Sequence, residues 1–214
     1  MDKIVSIKTI IFDLGGVYFT RGTILALEKL KDIYDLNYRD LFLFFRDIPG
    51  SEGYLIRQGL ITMNEFEKRF YSKFNIEETN TQIIRYIWFG AYVPHYGMKE
   101  IIKQLKEKNY NLVIFSGNIR ERVEFLNQRY NFLKYFTTVV FSYDFKKNKN
   151  DIAFYEHLIS QIGCKPQEAI FIDDEHKNIE IAKTLGFNCV PFYYTEQLVD
   201  SLKKYNIDLM LKTS

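Results

Sequence analysis

The run Ile7 to Leu14, IKTIIFDL, is nearly all apolar and β-branched or aromatic, the pattern of a strand buried on both faces of a parallel sheet. It stops at Gly15-Gly16. From Thr23 to about Tyr92 the spacing becomes helical. Thr62 and Glu65 form a capping-box signature ahead of Phe66, Phe70 and Phe74, which recur one helical turn apart. After Pro94 a βα rhythm sets in. A helix with Met98, Ile101, Ile102 and Leu105 on one face leads to the strand NLVIFS (111 to 116). A polar helix (118 to 130), the strand TTVVFS, a helix carrying Tyr155, Leu158, Ile159 and Ile162, and the strand AIFIDD (169 to 174) follow. Another helix and the strand NCVPFY close the series. Strands alternating with helices of this length predict an α/β fold, a doubly wound parallel sheet joined by right-handed crossovers, with a helical insertion after the first strand.

In such sheets ligands bind beyond the carboxyl ends of the strands, where successive crossovers diverge. Asp13, Ser116 and the pair Asp173-Asp174 all fall at such ends, and Lys149 lies in the loop after a fourth strand. Each has a bland reading. Asp13 suits a turn, Asp173 and Asp174 suit the cap of the helix that starts near Lys177, Ser116-Gly117-Asn118 suits a turn, and Lys149 suits a solvated basic loop. Their joint placement favours one crevice. Carboxylates brought together there repel unless a divalent cation neutralises them, and an all-oxygen ligand set points to magnesium. Gly117 lets backbone N–H groups approach a phosphate, and lysine supplies a compact countercharge.

Composition narrows the partners. At 47% apolar and 17% aromatic, 214 residues suffice for one α/β domain with a modest insertion. Lys plus Arg number 29 against 27 Asp plus Glu, so a net charge of +2 offers no large field for nucleic acid or an anionic membrane. A small soluble partner is expected, with the chain a monomer or homodimer. Two cysteines, Cys164 and Cys189, without a CxxC pair, and isolated histidines at 95, 157 and 176 argue against a disulfide scaffold or a zinc site. The charged opening MDKIVSIK leads into a strand, and no apolar run reaches membrane-spanning length, so a cytoplasmic protein is expected. The run LFLFF (41 to 45) reads as helix packing, with a dimer contact as the alternative.

Four segments in order, IIFDLGGVYF, VIFSGN, SYDFKKNKNDIAFY and AIFIDDEHKNIEIAKTLGF, resemble the motifs of the haloacid dehalogenase superfamily. RQGLITMNEF (57 to 66) resembles the cap of the branch that includes sugar-1-phosphate phosphatases. The resemblance spans nearly the whole chain. It implies a Rossmann-like core of residues 1–18 and 92–214 and a helical cap of 19–91. It also implies a magnesium-dependent phosphatase acting on a small phosphorylated metabolite such as a sugar phosphate. Asp13 would attack phosphorus and form an aspartyl-phosphate. Magnesium would be held by Asp13, the Gly15 carbonyl and Asp174, with Asp173 direct or through water. Ser116 and Gly117 would hold phosphate oxygens, Lys149 would tie the phosphate to Asp13, and Asn178 and Asn118 would support these groups from behind.

One position departs from that pattern. Phosphatases of the superfamily usually carry an aspartate two residues after the nucleophile as general acid and base, and this chain has Gly15. Loss of such a group typically costs about 10² to 10⁴ in rate. Tyr18, Arg57 or water are the substitutes open at this point. The departure leaves two rivals, a catalytically weak phosphate-binding or regulatory protein and a dehalogenase. The acidic pair counts against the dehalogenase, because the resemblance implies that those enzymes lack it and work without metal.

Overall fold

The computed structural model describes residues 6–77 and 82–211. The opening residues 1–5, read above as leading straight into the first strand, lie outside it, as do 78–81 within the helical insertion and the last three. Strands β1 (Thr9–Phe12), β2 (Asn111–Ser116), β3 (Thr138–Phe141), β4 (Ala169–Asp173) and β5 (Asn188–Pro191) form one parallel sheet in the order β3-β2-β1-β4-β5. β1 lies between β2 and β4, with Phe12 beside Ile114 on one side and Ile172 on the other. The chain runs from β1 to β2 and β3 on one side, then crosses over to β4 and β5 on the other, which opens a crevice above the carboxyl end of β1.

Helices α1 (Gly22–Tyr34), α2 (Tyr38–Phe45), α3 (Glu52–Arg57), α4 (Met63–Phe74) and α5 (Ile83–Gly90) lie between the first two strands in the chain. The remaining helices are α6 (Met98–Glu107), α7 (Arg120–Tyr130), α8 (Ser142–Phe145), α9 (Ile152–Gln161), α10 (His176–Thr184) and α11 (Thr195–Lys203). The doubly wound sheet with inserted helices is the architecture that the hydrophobic pattern predicts. The first strand is shorter than the apolar run that signals it. Beyond Phe12 the chain turns: Phe19 N–H donates to the Leu14 carbonyl at 2.8 Å and Gly16 N–H to the Phe19 carbonyl at 2.7 Å. Phe19 also bridges to Pro94, so the strand end is pinned before the chain departs into α1.

Pleating sorts the strand residues between two apolar clusters. Ile11, Val113, Phe115 and Phe171 pack on one face with Phe154, Tyr155 and Leu158 of α9. Ile10, Phe12, Leu112, Ile114, Ile170 and Ile172 belong to the other cluster, which runs without a break into the inserted helices through Leu27, Phe45, Phe66 and Trp88. Helix α4 begins with the foreseen capping box, Thr62 N–H donating to Glu65 Oε2 at 2.7 Å and Glu65 N–H to Thr62 Oγ1 at 3.2 Å. Phe66 and Phe70 are fully buried, and Trp88 sits 4.7 Å from Phe45 and 5.0 Å from Phe66, ring centre to ring centre. In LFLFF, Leu41, Phe44 and Phe45 face this core while Phe42 and Leu43 are exposed. The run is thus mainly packing, with an apolar outer edge.

No helix among the described residues is long and apolar enough to cross a membrane. The aromatic cluster gives a direct stability test. Phe66→Ala should destabilise the protein by about 3–5 kcal/mol in urea unfolding, the cost of a large buried ring plus its cavity. Ile33→Ala, on the exposed side of α1, should stay within about 0.5 kcal/mol.

Candidate active site

The carboxyl ends of β1, β2 and β4 deliver three of the sequence-predicted groups to the same point. Asp13 follows β1, Ser116 ends β2, and Asp173 ends β4 with Asp174 next in the chain. Oxygen atoms of Asp13, Asp173 and Asp174 lie within 4.8 Å of one another. Asp13 is held at both oxygens. Its Oδ1 accepts from Ser116 Oγ at 2.7 Å and from Leu14 N–H at 2.6 Å, and its Oδ2 lies 3.1 Å from Lys149 Nζ.

Lys149 comes from a turn between α8 and α9. Lys146, in the left-handed region at φ 53°, ends α8. Asn148 N–H then donates to Asp151 Oδ2 at 3.1 Å and Asn150 N–H to Asn148 Oδ1 at 2.9 Å, closing a tight loop of the kind Asx side chains favour. The ammonium reaches under the strand ends, 5.4 Å from the centre of the Phe115 ring, and donates to Asp173 Oδ2 at 2.7 Å. What looks in sequence like a solvated basic loop therefore contains one buried lysine, 8% exposed, beside exposed Lys146 and Lys147.

Asp173 is completely buried, and its oxygens are engaged. Besides Lys149, its Oδ1 accepts from Glu175 N–H at 2.9 Å and Asn178 Nδ2 at 3.0 Å. Asp173 thus fixes Lys149, and Asn178 fixes Asp173. Asp174 points the other way, to Arg21 Nε at 2.6 Å. Gly16, at φ 91°, is the residue that makes room for it, since a Cβ there would fall on the Asp174 carboxylate.

Electrostatics follow from this crowding. Burial, together with the Asp173 and Asp174 charges, pushes Asp13 up to about 7 against the pull of Lys149 and the Ser116 hydrogen bond. Burial also raises Asp174, a shift that Arg21 opposes. Burial works against the Lys149 charge, yet the Asp13 and Asp173 carboxylates more than offset it and hold the lysine protonated.

Above these groups lies a cavity of about 390 Å³ whose walls include Asp13, Gly15, Ser116, Gly117, Lys149 and Asp174. The inserted helices contribute Arg57 and the segment after α2 contributes Asp47. Asn118 stands behind Ser116, its Nδ2 3.4 Å from Ser116 Oγ and its Oδ1 accepting from Arg122 Nε at 2.8 Å. Arg122 Nη1 continues to the Tyr92 hydroxyl at 2.9 Å, which meets Thr23 Oγ1 at 2.7 Å, and Trp88 Nε1 donates to that same oxygen at 2.9 Å. A chain of hydrogen bonds therefore runs from the middle of the helical layer to Asp13.

Of the substitutes weighed for the acid missing at Gly15, Tyr18 is packed against Phe19 and Phe132 and does not line the cavity. Arg57 does line it, with Nη1 donating to the Phe45 and Gly53 carbonyls. Neither His95, His157 nor His176 is among the cavity walls. Sequence reasoning passed over Arg21, Asp47, Tyr92 and Arg122. Arg122 had a faint signal, one helical turn after Asn118. Arg21 and Asp47 had none: Arg21 meets a partner 153 residues on, at Asp174, and Asp47 depends on how the inserted segment folds back over the strand ends.

The sequence pattern of the haloacid dehalogenase-like hydrolase family matches residues 24–192. The chain belongs to that family. Among curated proteins, this hydrolase is 27% identical to an uncharacterized protein of Dictyostelium discoideum over 95% of its own length and 90% of that protein's. It is 22% identical to the phosphorylated carbohydrates phosphatase of Thermotoga maritima, covering 84% of itself and 82% of the phosphatase. Its fold resembles that of a HAD family enzyme from Bacteroides thetaiotaomicron solved with magnesium and inorganic phosphate. The TM-score is 0.74 at 21% identity, with 88% of this chain and 95% of that one covered. Phosphatases are thus among the curated relatives of this hydrolase, and its fold is that of the family's solved enzymes.

Two predictions follow from the buried charges and the tight turn. Asp13 binds its proton more tightly folded than unfolded, so it contributes stability below about pH 4, and that contribution is lost as pH rises through about 7. Urea titrations in EDTA should show stability falling over this window by on the order of a few kcal/mol, and Asp13→Asn should flatten the slope. Gly16→Ala should displace Asp174 and strain the turn, costing about 1–3 kcal/mol by the same assay.

Proposed function

We propose that this hydrolase is a magnesium-dependent phosphatase of small phosphorylated metabolites, sugar phosphates foremost, working through an aspartyl-phosphate on Asp13. The observation that carries the reading is the meeting of Asp13, Asp173 and Asp174 within 4.8 Å, with Ser116 and Lys149 both on Asp13. Three carboxylates and an available backbone carbonyl form an oxygen donor set suited to a hard divalent cation, and the raised pKa of Asp13 is the strain that such a cation relieves. Asp13, the Gly15 carbonyl and Asp174 would hold magnesium directly, with Asp173, already engaged by Lys149 and Asn178, acting through water. Bound there, the ion would neutralise the carboxylates and orient the phosphoryl group.

The rest falls to side chains of the protein. Lys149, fixed by Asp173, presents its charge to a phosphate oxygen as that group meets Asp13. Ser116 Oγ and the Gly117 N–H take the other oxygens, and Asn118 holds the serine hydroxyl in place. Asp13 attacks phosphorus in line with the leaving oxygen, and water later releases the phosphate and regenerates the carboxylate. In this reading residues 1–18 and 92–214 are the catalytic core and 19–91 the cap, which closes the cavity from above and excludes bulk water. The Thermotoga phosphatase and the magnesium and phosphate complex of the Bacteroides enzyme support it.

Purified protein should release phosphate from p-nitrophenyl phosphate and from members of a sugar phosphate panel with magnesium and not with EDTA. Asp13→Asn should fall below about a thousandth of that rate. Absence of magnesium-dependent release by the wild type would instead mark a phosphate-binding protein. Full activity in EDTA would remove Asp174 from the metal.

A further inference from the structure

The structure assigns to Asp47, in the segment between α2 and α3, the proton exchange that Gly15 cannot perform: we propose that it protonates the leaving oxygen and then deprotonates the attacking water. This rests on the phosphatase reading above and supplies its missing group.

Three observations place Asp47 there. It lines the same cavity as Asp13 and Ser116, and its Oδ2 lies 3.6 Å from where a Cβ on Gly117 would sit, over the backbone that faces the phosphate. It therefore stands on the cap side of the transferred group, the side from which a leaving group must depart. Its Oδ1 is shut off from solvent and has no hydrogen-bond partner among the described residues. A buried carboxyl oxygen left unmatched costs free energy, so a position of this kind calls for a partner supplied by the ligand.

The charged groups that face Asp47 do not consume it. They are Arg57 of α3, Arg122 of α7 and Lys149, and each favours the carboxylate. None forms an ion pair with it within 4.0 Å among the described residues. Lys149 is committed to Asp13 and Asp173. Arg57 donates to two carbonyls, and Arg122 to Asn118 and Tyr92. Burial outweighs all three and raises the pKa of Asp47, keeping a proton on it more readily than on an ordinary aspartate. Meanwhile the space beside Gly15 belongs to Tyr92, whose ring carbon Cε1 would lie 3.4 Å from a Cβ at that position and whose hydroxyl is engaged by Thr23 and Arg122.

The two steps balance. As an Asp13 oxygen bonds to phosphorus, the bond from phosphorus to the leaving oxygen breaks with its electron pair, and that oxygen takes the Asp47 proton. In the second step water attacks the aspartyl-phosphate and gives its proton to the Asp47 carboxylate. The bond from phosphorus to Asp13 breaks, and its electron pair returns to the Asp13 carboxylate. Inorganic phosphate leaves, and Asp47 is protonated for the next cycle.

Leaving groups of different basicity test this. p-Nitrophenolate needs no proton to depart, whereas the alkoxide of glycerol 2-phosphate does. Asp47→Asn should release p-nitrophenolate in a burst of one per active site and then turn over about 10² to 10⁴-fold more slowly than wild type. With glycerol 2-phosphate the same variant should slow by a similar factor with no burst. Asp47→Glu, which keeps a transferable proton, should recover part of both rates. Because Oδ1 makes no hydrogen bond, Asp47→Ala should melt no lower than wild type. Wild-type kcat in Asp47→Asn on both substrates, or a change confined to KM, would overturn the proposal. So would a lowered melting temperature with equal loss and no burst on both, which would mark a structural role. If wild type itself releases no p-nitrophenolate with magnesium, the phosphatase reading fails and the proton role falls with it. An active wild type with an unaffected variant sinks the proton role alone.

Discussion

The ammonium of Lys149 between the carboxylates of Asp13 and Asp173 is the interaction on which the rest of the site depends. The buried Asp173 and the partly buried Asp13 and Asp174, all within 4.8 Å, would repel one another in a medium of low polarity. Lys149 bridges two of them at 3.1 and 2.7 Å, and Arg21 takes the third. Removing one member of such an arrangement leaves an uncompensated buried charge, which is far more costly than the intact set. The tight loop around Asn148, the end of α8 and the Asn178 amide all serve to bring one positive charge to one place. Asp173, the best buried of the three, is the anchor for that charge and not the exposed face of the site.

A second constraint is the continuity between layers. The hydrogen-bond chain from Trp88 through Thr23, Tyr92, Arg122, Asn118 and Ser116 reaches Asp13 without leaving protein atoms. Ser142 adds a cross-link, accepting from Asn118 N–H at 3.0 Å while its hydroxyl donates to the Arg57 carbonyl at 2.5 Å. The rotamers of Arg122 and Asn118 are thus set by groups from both layers, and Ser116 presents one orientation to Asp13. Such networks rigidify when every member is satisfied.

The strand ends were legible in the sequence because they carry the clearest physical signature. An unbroken apolar strand cannot place a carboxylate in its interior, so Asp13, Ser116 and Asp173 announce the edge where the run ends. The four ordered motifs then named the family, and the match over residues 24–192 bears that out. The inserted helices were readable as helices, down to the capping box of Thr62 and Glu65, since capping and periodicity are local. Which of their polar residues return to the strand ends was not readable. Asp47 follows an apolar helix and precedes an exposed loop, and nothing within a few residues distinguishes it from a surface acid. Arg122 sits on a helix whose composition suggests solvent, yet it is 2% exposed, because Tyr92 and Trp88 close over it. Long-range burial of charge leaves no periodic trace.

The apolar cluster shared by the sheet and the inserted helices has a consequence for how molecules enter and leave. Phe45, Phe66 and Trp88 are continuous with Ile10, Phe12 and Ile114, so lifting the helical layer as a body would bring core side chains into water at roughly 25 cal/mol for every Å² uncovered. Traffic is therefore channelled to the edge of the cavity, where Ile24 and Phe42 line the wall with about half their surface exposed. In the proposed phosphatase reading, a substrate threading that greasy rim would present its phosphate first and leave its other end at the doorway, so the doorway would set which bodies can be carried in.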